Sequence, residues 1–427
     1  MKNKPLYFAI SLSILALCSC SQVATPYNSL ARSEHLNLEN DGFILSFEKR
    51  SKKKMRISGA SYQSVITQPA AHKEDRRYSN YFNKTITSDP KALVATHIIQ
   101  KKADQKSFLY NAYNAHPSSS GDHISETNTL AKLQLFKSEL RSSLRENRYT
   151  HIMVMSMGWN NDQHVSIYNY NRIIKNIQHS AGGHRFKPLV IGVTWPSVWG
   201  SRKETSFIRT GAHLISYFNK SDDADELGIS YLNWLLHDAI PYSQGDRRVP
   251  VVAIGHSFGA RAMSRAVYSR SYLISPQQET EPVDLFVGLQ SATSIYRHLP
   301  GKNFLRGAPY SQVRFKKTKI VYTTSKNDKS NGAARFITQA RLIGGPHALK
   351  IAEKQKDSPY IDFHRINEGC KLDIDIPKGR PLIVDASLFV KGVRKEDTGI
   401  PYSDLSPHND ILDLDMGEFI WSCINQL

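Results

Sequence analysis

From about residue 126 onward, uninterrupted apolar runs alternate with stretches whose apolar side chains recur at three- and four-residue steps. That spacing is typical of amphipathic helices, whereas apolar runs without polar alternation are typical of strands buried on both faces. Strands of this kind separated by helices predict an α/β domain with a doubly wound, mostly parallel sheet. The predicted strands are 151–157, 188–195, 251–254, 285–289 and 319–324, and the predicted helices are 127–147, 165–178, 224–240 and the stretch after Ser257.

The chain before residue 126 lacks this regular alternation. Residues 42–47 are compatible with one strand, and 49–56 form a basic cluster that suits either a solvated loop or contact with anionic lipid head groups. A polar loop at 116–122 indicates a boundary. We therefore divide the chain into a leader at 1–19, a tether and irregular N-terminal region at 20–125, and an α/β domain at 126–427.

The leader has a basic start followed by an apolar run at 6–17 that is too short to span a bilayer, which indicates a signal peptide. Cys20, with Ser19 before it, resembles the lipobox of bacterial lipoproteins. The resemblance implies that Cys20 is lipidated and becomes the mature N-terminus. Ser21 in the next position, where aspartate is linked to inner-membrane retention, implies an outer-membrane anchor that faces the periplasm. The alternative is an ordinary secreted protein cleaved after Ser19 or Ser21.

In the mature chain only Cys370 and Cys423 would remain. Outside the cytoplasm two thiols can pair, so a disulfide between them is one prediction, and two buried free cysteines are the other. Neither has the neighbouring Cys or His residues of a metal site, so no metal is predicted. The net charge of +18 favours an anionic partner such as a lipid surface, while the absence of a recognised module and the leader argue against nucleic acid.

The best candidate for chemistry is Gly255-His256-Ser257-Phe258-Gly259, which interrupts an apolar run and precedes a helix-compatible stretch. Glycines two positions before and after Ser257 permit a sharp strand-to-helix turn in which no side chain crowds the backbone. Such a turn would expose the Ser257 hydroxyl at the carboxyl end of a strand. The alternative is a glycine turn with an incidental serine.

A nucleophilic serine needs a base and an acid that orients the base, and in parallel sheets such groups lie at the carboxyl ends of strands. Asp328 follows the strand at 319–324, and His408 lies in a late loop. His256 is interpreted as a support for the turn, and Asp410 as a helix-start residue. The rivals are Asp284 and Asp385 as the acid, and His347 and His364 as the base.

The Gly-x-Ser-x-Gly turn and the order Ser, Asp, His resemble the α/β-hydrolases. Within them, 158–161, 195–197 and 255–259 look like a poorly characterised bacterial esterase/lipase-like branch. The resemblance covers about 130–415. It implies that Ser257 is the nucleophile, His408 the base and Asp328 its orienting acid, and that the backbone N–H groups of Phe258 and Trp159 form the oxyanion hole. The loop of that branch begins His-Gly, whereas here it begins with Met157.

The predicted function is therefore hydrolysis of carboxylic esters through an acyl-enzyme on Ser257, without a cofactor, by a protein held at the membrane by its N-terminal lipid. A small-molecule or lipid ester is the favoured substrate class, because the protein is expected at a membrane and its strand-end loops are aromatic. Trp159, Trp195 and Trp199 suit either the wall of an acyl pocket or the core. The second hypothesis is a non-catalytic surface lipoprotein that uses the same scaffold to bind an anionic component of the envelope. The sequence gives no indication of the oligomeric state.

Overall fold

A computed structural model describes residues 37–49, 93–111, 126–146, 148–158, 163–182, 186–195, 221–269, 281–300, 310–329, 341–392 and 407–427. Their strands form one ten-stranded sheet. The strands are β1 (Gly42–Lys49), β2 (Leu93–Lys102), β3 (Gln105–Asn111), β4 (His151–Ser156), β5 (Pro188–Thr194), β6 (Val251–His256), β7 (Leu285–Leu289), β8 (Lys319–Thr324), β9 (Asp362–Arg365) and β10 (Leu382–Asp385). The main helices are α1 (Glu126–Glu146), α2 (Gln163–Ala181), α3 (221–244), α4 (Phe258–Tyr268), α5 (Pro346–Lys354) and α6 (Leu414–Ile424).

The sheet confirms the predicted fold class. Its order is β3-β2-β1-β5-β4-β6-β7-β8-β10-β9, and every pairing from β1 to β9 along that order is parallel. The pairings of β2 with β1 and with β3 are antiparallel. The β4–β8 segments correspond to the five apolar runs identified in the sequence, because strands covered on both faces have no polar side to alternate.

The order of the strands reverses direction at β4 and β6. From β4 the chain passes to β5 on one side, and from β6 it passes to β7 and β8 on the other. In open α/β sheets this switch point leaves a crevice at the carboxyl ends of the two strands, because the following connections diverge to opposite sides. Ser257 directly follows β6, and Met157 and Gly158 directly follow β4.

Helices cover both faces of the sheet. The apolar side chains of α1, α3, α4 and α5 share one buried cluster with alternate positions of the strands. Those of α2 and α6 form a second cluster with the other positions. In β6, for example, Val251 and Ala253 belong to the first cluster, and Val252 and Ile254 to the second.

The interpretation of 20–125 as a tether and irregular region outside the α/β domain is wrong for two stretches. β1 pairs in parallel with β5 and so joins the centre of the sheet, and β2 and β3 extend the sheet from it. The side chains of Phe43, Ile44 and Leu45 are at most 1% exposed. Side chains on both faces of β1 are buried, so the sequence shows no alternation of polar and apolar residues. A single short apolar run does not indicate where in a sheet the strand will pair.

The predicted helix at 224–240 is longer than expected and contains two π-helical turns, Gly228–Leu232 and Leu235–Ala239. Gly228 lets α3 approach α4, because a Cβ there would lie 2.2 Å from the carbonyl oxygen of Ala262. A buried ion cluster joins the same two helices. Asp225 of α3 accepts hydrogen bonds of 2.7–3.0 Å from Arg261 and Arg265 of α4.

The two C-terminal cysteines are free, so the predicted disulfide is not formed in the structure. Cys370 Sγ lies 2.9 Å from Glu418 Oε2 near the start of α6, whereas Cys423 lies near the end of α6 in the buried core. Each thiol therefore has its own environment. Burial raises the pKa of both to about 12, which keeps them protonated.

None of the helices in the described ranges has both the length and the apolar character needed to cross a bilayer. The leader with Cys20 lies outside the described residues.

Candidate active site

The turn around Ser257 has the strained geometry that the sequence predicts. Ser257 has φ 53° and ψ −119°, a left-handed conformation that is rare for a residue with a side chain. It joins the last residue of β6 to the first residue of α4, so its main chain reverses within one residue. Strain of this kind persists only where the surroundings enforce it, and it occurs preferentially at functional sites.

Both glycines of the turn are required by close contacts. A Cβ on Gly255 would lie 2.4 Å from the Ala260 Cα, inside the turn itself. A Cβ on Gly259 would lie 2.1 Å from the carbonyl oxygen of Ser156, at the end of β4. The glycines therefore allow α4 to start immediately after Ser257 and the turn to lie against the neighbouring strand end.

The loop after β4 lies directly beside the serine. A Cβ on Gly158 would be 2.6 Å from the Ser257 Cβ and 3.2 Å from its Oγ. The carbonyl oxygen of Met157 accepts a hydrogen bond of 2.9 Å from the Trp195 indole nitrogen, at the end of β5. The buried Trp195 side chain thus fixes this loop. The only sign of this contact in the sequence is that both segments follow predicted strands, whose carboxyl ends lie at the same edge of the sheet.

His408 and Asp328 come together although they are eighty residues apart. The His408 Nδ1 lies 2.7 Å from Asp328 Oδ2, and the Asp328 side chain is fully buried. Asp328 follows β8, and His408 lies in the short 3-10 helix Pro407–Leu412. A carboxylate in this position fixes the ring tautomer, so proton transfer falls to the other nitrogen, Nε2.

His256 links this pair to the serine turn. Its Nε2 donates a 2.8 Å hydrogen bond to the carbonyl oxygen of His408, and the two ring centroids are 4.7 Å apart. Burial, with the neighbouring His408, lowers the pKa of His256 to about 3, so the ring stays neutral. His256 therefore supports the arrangement rather than acting as a base, in agreement with its interpretation from sequence.

Asp410 anchors the turn that carries His408. Its Oδ2 accepts hydrogen bonds of 2.6 and 2.7 Å from the backbone N–H groups of Lys391 and Gly392. Burial raises its pKa, although the two N–H groups oppose the shift. The sequence suggested a helix-start residue, whereas the structure places its carboxylate on a separate segment beyond β10.

The four rival residues are placed elsewhere. Asp284 binds the Val251 N–H at the amino end of β6, the edge opposite Ser257. Asp385 is engaged by Arg365 and Ser387. His364 Nε2 lies 2.8 Å from Asp373 Oδ1, and His347 lies in the first turn of α5.

Several candidate features are not covered by the structure. Trp159, the proposed second oxyanion donor, and Trp199 lie outside the described residues, whereas Phe258 is the first residue of α4. Within the described ranges, no group of three or more His, Cys, Asp or Glu side chains is arranged to hold a metal ion.

Comparisons with known proteins give no family assignment. No family model matches the chain, and no curated protein matches it. Among solved structures, Thermogutta terrifontis esterase 2 phosphoramylated by tabun is 12% identical, with 66% of this chain and 85% of the esterase covered and a TM-score of 0.31. Trichoderma reesei cutinase in complex with a phosphonate inhibitor is 12% identical, with 39% and 67% covered and a TM-score of 0.21.

The catalytic core domain of acetyl xylan esterase from Trichoderma reesei is 14% identical, with 44% of this chain and 94% of that domain covered and a TM-score of 0.23. These neighbours are ester hydrolases, but the scores are too low to assign an activity.

Proposed function

We propose that this protein is a serine hydrolase that cleaves carboxylic esters through an acyl-enzyme on Ser257. The observation that carries the proposal is the 2.7 Å contact between His408 and Asp328, tied through His256 to the strained turn that presents Ser257. A serine, a histidine and a buried carboxylate in this relation are the parts that nucleophilic acyl transfer needs.

In the first half of the reaction, His408 Nε2 takes the proton of the Ser257 hydroxyl as Oγ attacks the ester carbonyl carbon. Asp328 keeps Nδ1 protonated and stabilises the imidazolium that forms. The carbonyl oxygen becomes an oxyanion, which the backbone N–H groups of Phe258 and Trp159 would bind at about 3 kcal/mol per donor. His408 then donates its proton to the leaving alcohol oxygen as the ester C–O bond breaks.

In the second half, a water molecule attacks the acyl carbon while His408 Nε2 takes its proton. The bond from carbon to Ser257 Oγ breaks, the proton passes to Oγ, and the carboxylic acid leaves. The replacement of the usual loop histidine by Met157 does not remove backbone donors, and Trp195 supplies a side-chain hydrogen bond to this loop.

A fluorophosphonate probe tests the proposal, because it phosphonylates only an activated serine. We expect labelling of the wild type and of Ser264→Ala, a serine two turns further along α4, and none of Ser257→Ala. Absence of labelling in a wild-type sample whose thermal transition shows that it is folded would contradict the enzyme. It would instead favour a scaffold that binds an anionic envelope component. Aryl esters of increasing acyl length would then define the substrate class.

We also propose that the mature chain is anchored by a lipid on Cys20 in the outer membrane, facing the periplasm. The support is the leader sequence, in which Ser19 and Cys20 follow the apolar run. Metabolic labelling with an alkyne fatty acid should mark the wild type and not Cys20→Ser, with Cys18→Ser as the matched control. Equal labelling of the wild type and Cys20→Ser would contradict the anchor.

A further inference from the structure

Basic side chains concentrate at the edge of the sheet opposite Ser257. Parallel strands all begin at one edge and end at the other, and Ser257 follows the carboxyl end of β6. Six neighbouring strands, in the order β5-β4-β6-β7-β8-β10, are each preceded by a described segment at the amino edge. Those segments contain nine arginines and lysines and three acids. They are 186–187, 148–150, 245–250, 281–284, 313–318 and 377–381.

These segments form one continuous edge. The Thr150 N–H donates to the Lys187 carbonyl oxygen at 2.8 Å. Further along, the Lys319 N–H donates to the Asp284 carbonyl oxygen at 2.9 Å, and Lys319 forms a β-bridge with Lys378. Since neighbouring strands lie about 4.8 Å apart, the six segments together extend over roughly 24 Å.

The three acids of these segments balance only a minority of their basic charge. Asp284 pairs with Arg248 at 2.5 Å. The Glu281 carboxylate accepts hydrogen bonds of 2.6–3.0 Å from the backbone N–H groups of 316–318. Nine basic residues against three acids leave these segments with a net charge of +6. Six exposed members define the basic rim: Arg148, Lys187, Arg247, Lys316, Lys317 and Lys378.

The charge and placement of the basic rim fit an extended anionic surface. Like charges along one edge repel one another, and an anionic partner relieves that repulsion. The side chains are spread along the edge, so they suit a broad surface better than a small anion held from several sides. Anionic lipid head groups form such a surface, and each lysine or arginine close to it strengthens binding by about fivefold. A lipid on Cys20, as proposed above, would hold the chain at a bilayer and away from nucleic acid.

We propose that the basic rim binds anionic lipid head groups and that Ser257 faces away from the bilayer. The six residues of β6 separate the rim from the serine, which at about 3.3 Å per residue places Ser257 roughly 20 Å from the rim. A lipid that stays in the bilayer cannot reach the hydroxyl across that distance. The substrate is therefore an ester that arrives from the aqueous phase. This orientation and substrate class rest on the reaction proposed at Ser257, whereas the binding surface does not.

Vesicle flotation tests the surface. The protein is the mature chain without its lipid, from Ser21 onward. The vesicles contain either phosphatidylcholine alone or an equal mixture of phosphatidylcholine and phosphatidylglycerol. We expect binding to the anionic vesicles only, and weaker binding as the salt concentration rises, because salt screens exposed charges. A folded wild type that does not bind the anionic vesicles would overturn the proposal.

Two quadruple variants separate the basic rim from the net charge of the chain. The rim variant combines Arg148→Gln, Lys187→Gln, Lys316→Gln and Lys317→Gln, which keep every backbone N–H group that binds Glu281. The matched control replaces four exposed lysines outside the rim by glutamine, namely Lys175, Lys326, Lys329 and Lys350. The rim variant should bind anionic vesicles on the order of a hundredfold more weakly than the wild type, and the control within about threefold of it.

Equal losses in the two variants would overturn the basic rim, since net charge alone would then explain the binding. A rim variant that binds vesicles like the wild type but loses binding to a DNA duplex would also overturn it, and would assign the rim to nucleic acid. If the rim variant has no cooperative thermal transition, Lys316→Gln together with Lys317→Gln should still lower vesicle binding by about tenfold.

A fluorophosphonate joined to a large hydrophilic tag tests the orientation, because such a tag cannot enter a bilayer. Anionic vesicles should leave the rate of Ser257 labelling unchanged. Labelling that the vesicles slow would mean that the serine edge faces the lipid, and would overturn the orientation. A folded wild type that binds the vesicles through the rim but is never labelled would instead refute the proposed hydrolase and leave the binding surface supported.

Discussion

Gly259→Ala tests how closely the serine turn must approach the end of β4. A Cβ at residue 259 would lie 2.1 Å from the Ser156 carbonyl oxygen and 2.6 Å from that of Met157. Ordinary contact begins at 3.4 Å, so the two segments must separate by about 1.3 Å. The obstructing atoms belong to the backbone, and no change of rotamer can relieve the contact.

This displacement acts on the reacting groups themselves. Met157 and Gly158 form the loop that lies against Ser257, so a shift of the turn changes the distance from the serine Oγ to the oxyanion donors. A misplacement of about 1 Å can lower a rate by roughly a hundredfold, and overpacking of a buried contact costs about 1–3 kcal/mol of stability. We expect kcat to fall by about that factor in a protein that remains folded at room temperature.

The assay is the steady-state hydrolysis of a 4-nitrophenyl ester, together with urea unfolding. Gly345→Ala is the matched control, because a Cβ there would lie 3.5 Å from the Asp328 carbonyl oxygen, in ordinary contact, at a residue with φ −108°. It should leave kcat and stability near wild type. If Gly259→Ala has wild-type kcat and stability, the close packing of the turn on β4 is not what fixes the site.

Three further predictions concern the loop beside Ser257, the buried ion cluster between α3 and α4, and the buried histidines. Trp195→Phe removes the hydrogen bond to the Met157 carbonyl oxygen, and we expect roughly a tenfold loss of kcat with little change in KM, measured with the same ester. Asp225→Asn leaves the buried arginines of α4 without their shared carboxylate, and urea unfolding should show a loss of about 3–5 kcal/mol, whereas an unchanged midpoint would contradict the cluster's role. Stability should fall as the pH drops from 6.5 toward 4. Burial lowers the pKa values of four histidines to about 3 or 4, so their rings stay neutral in the folded chain. The same rings take up protons in the unfolded chain, which favours unfolding. The loss is about 1.4 kcal/mol per pH unit for each such histidine, urea midpoints at pH 7.5 and 5 measure it, and equal midpoints would refute it. These residues are His97, His237, His256 and His298.

The central strands and the serine turn were predictable because their signals are local. A strand covered on both faces must be apolar along its length, and a turn as sharp as that at Ser257 requires glycines at fixed positions. Asp328 and His408 were found in the same way, by asking which polar residues follow strands or lie in late loops. The contact between them could only be inferred, since it joins residues far apart in the chain.

His256 was expected to support the turn, but the contacts that hold the site together could not be predicted, because each joins segments that are distant in the sequence. Trp195 donates to Met157, and His256 to the His408 carbonyl oxygen, through packing that no spacing in the sequence reports. For the C-terminal thiols the sequence left open either a disulfide or two free cysteines. In the structure Cys370 and Cys423 lie in separate environments and are free.

By itself, then, the sequence determined the parallel α/β architecture, the strained turn at Ser257 and a short set of partners for it. Periodicity and glycine placement encode these features within a few residues. Only the tertiary structure decided that β1, β2 and β3 extend the sheet, that Asp328 rather than Asp284 or Asp385 meets His408, and that Trp195 holds the loop beside Ser257. Those outcomes depend on which strands become neighbours, and the pairing of distant strands produces no periodic pattern in the sequence.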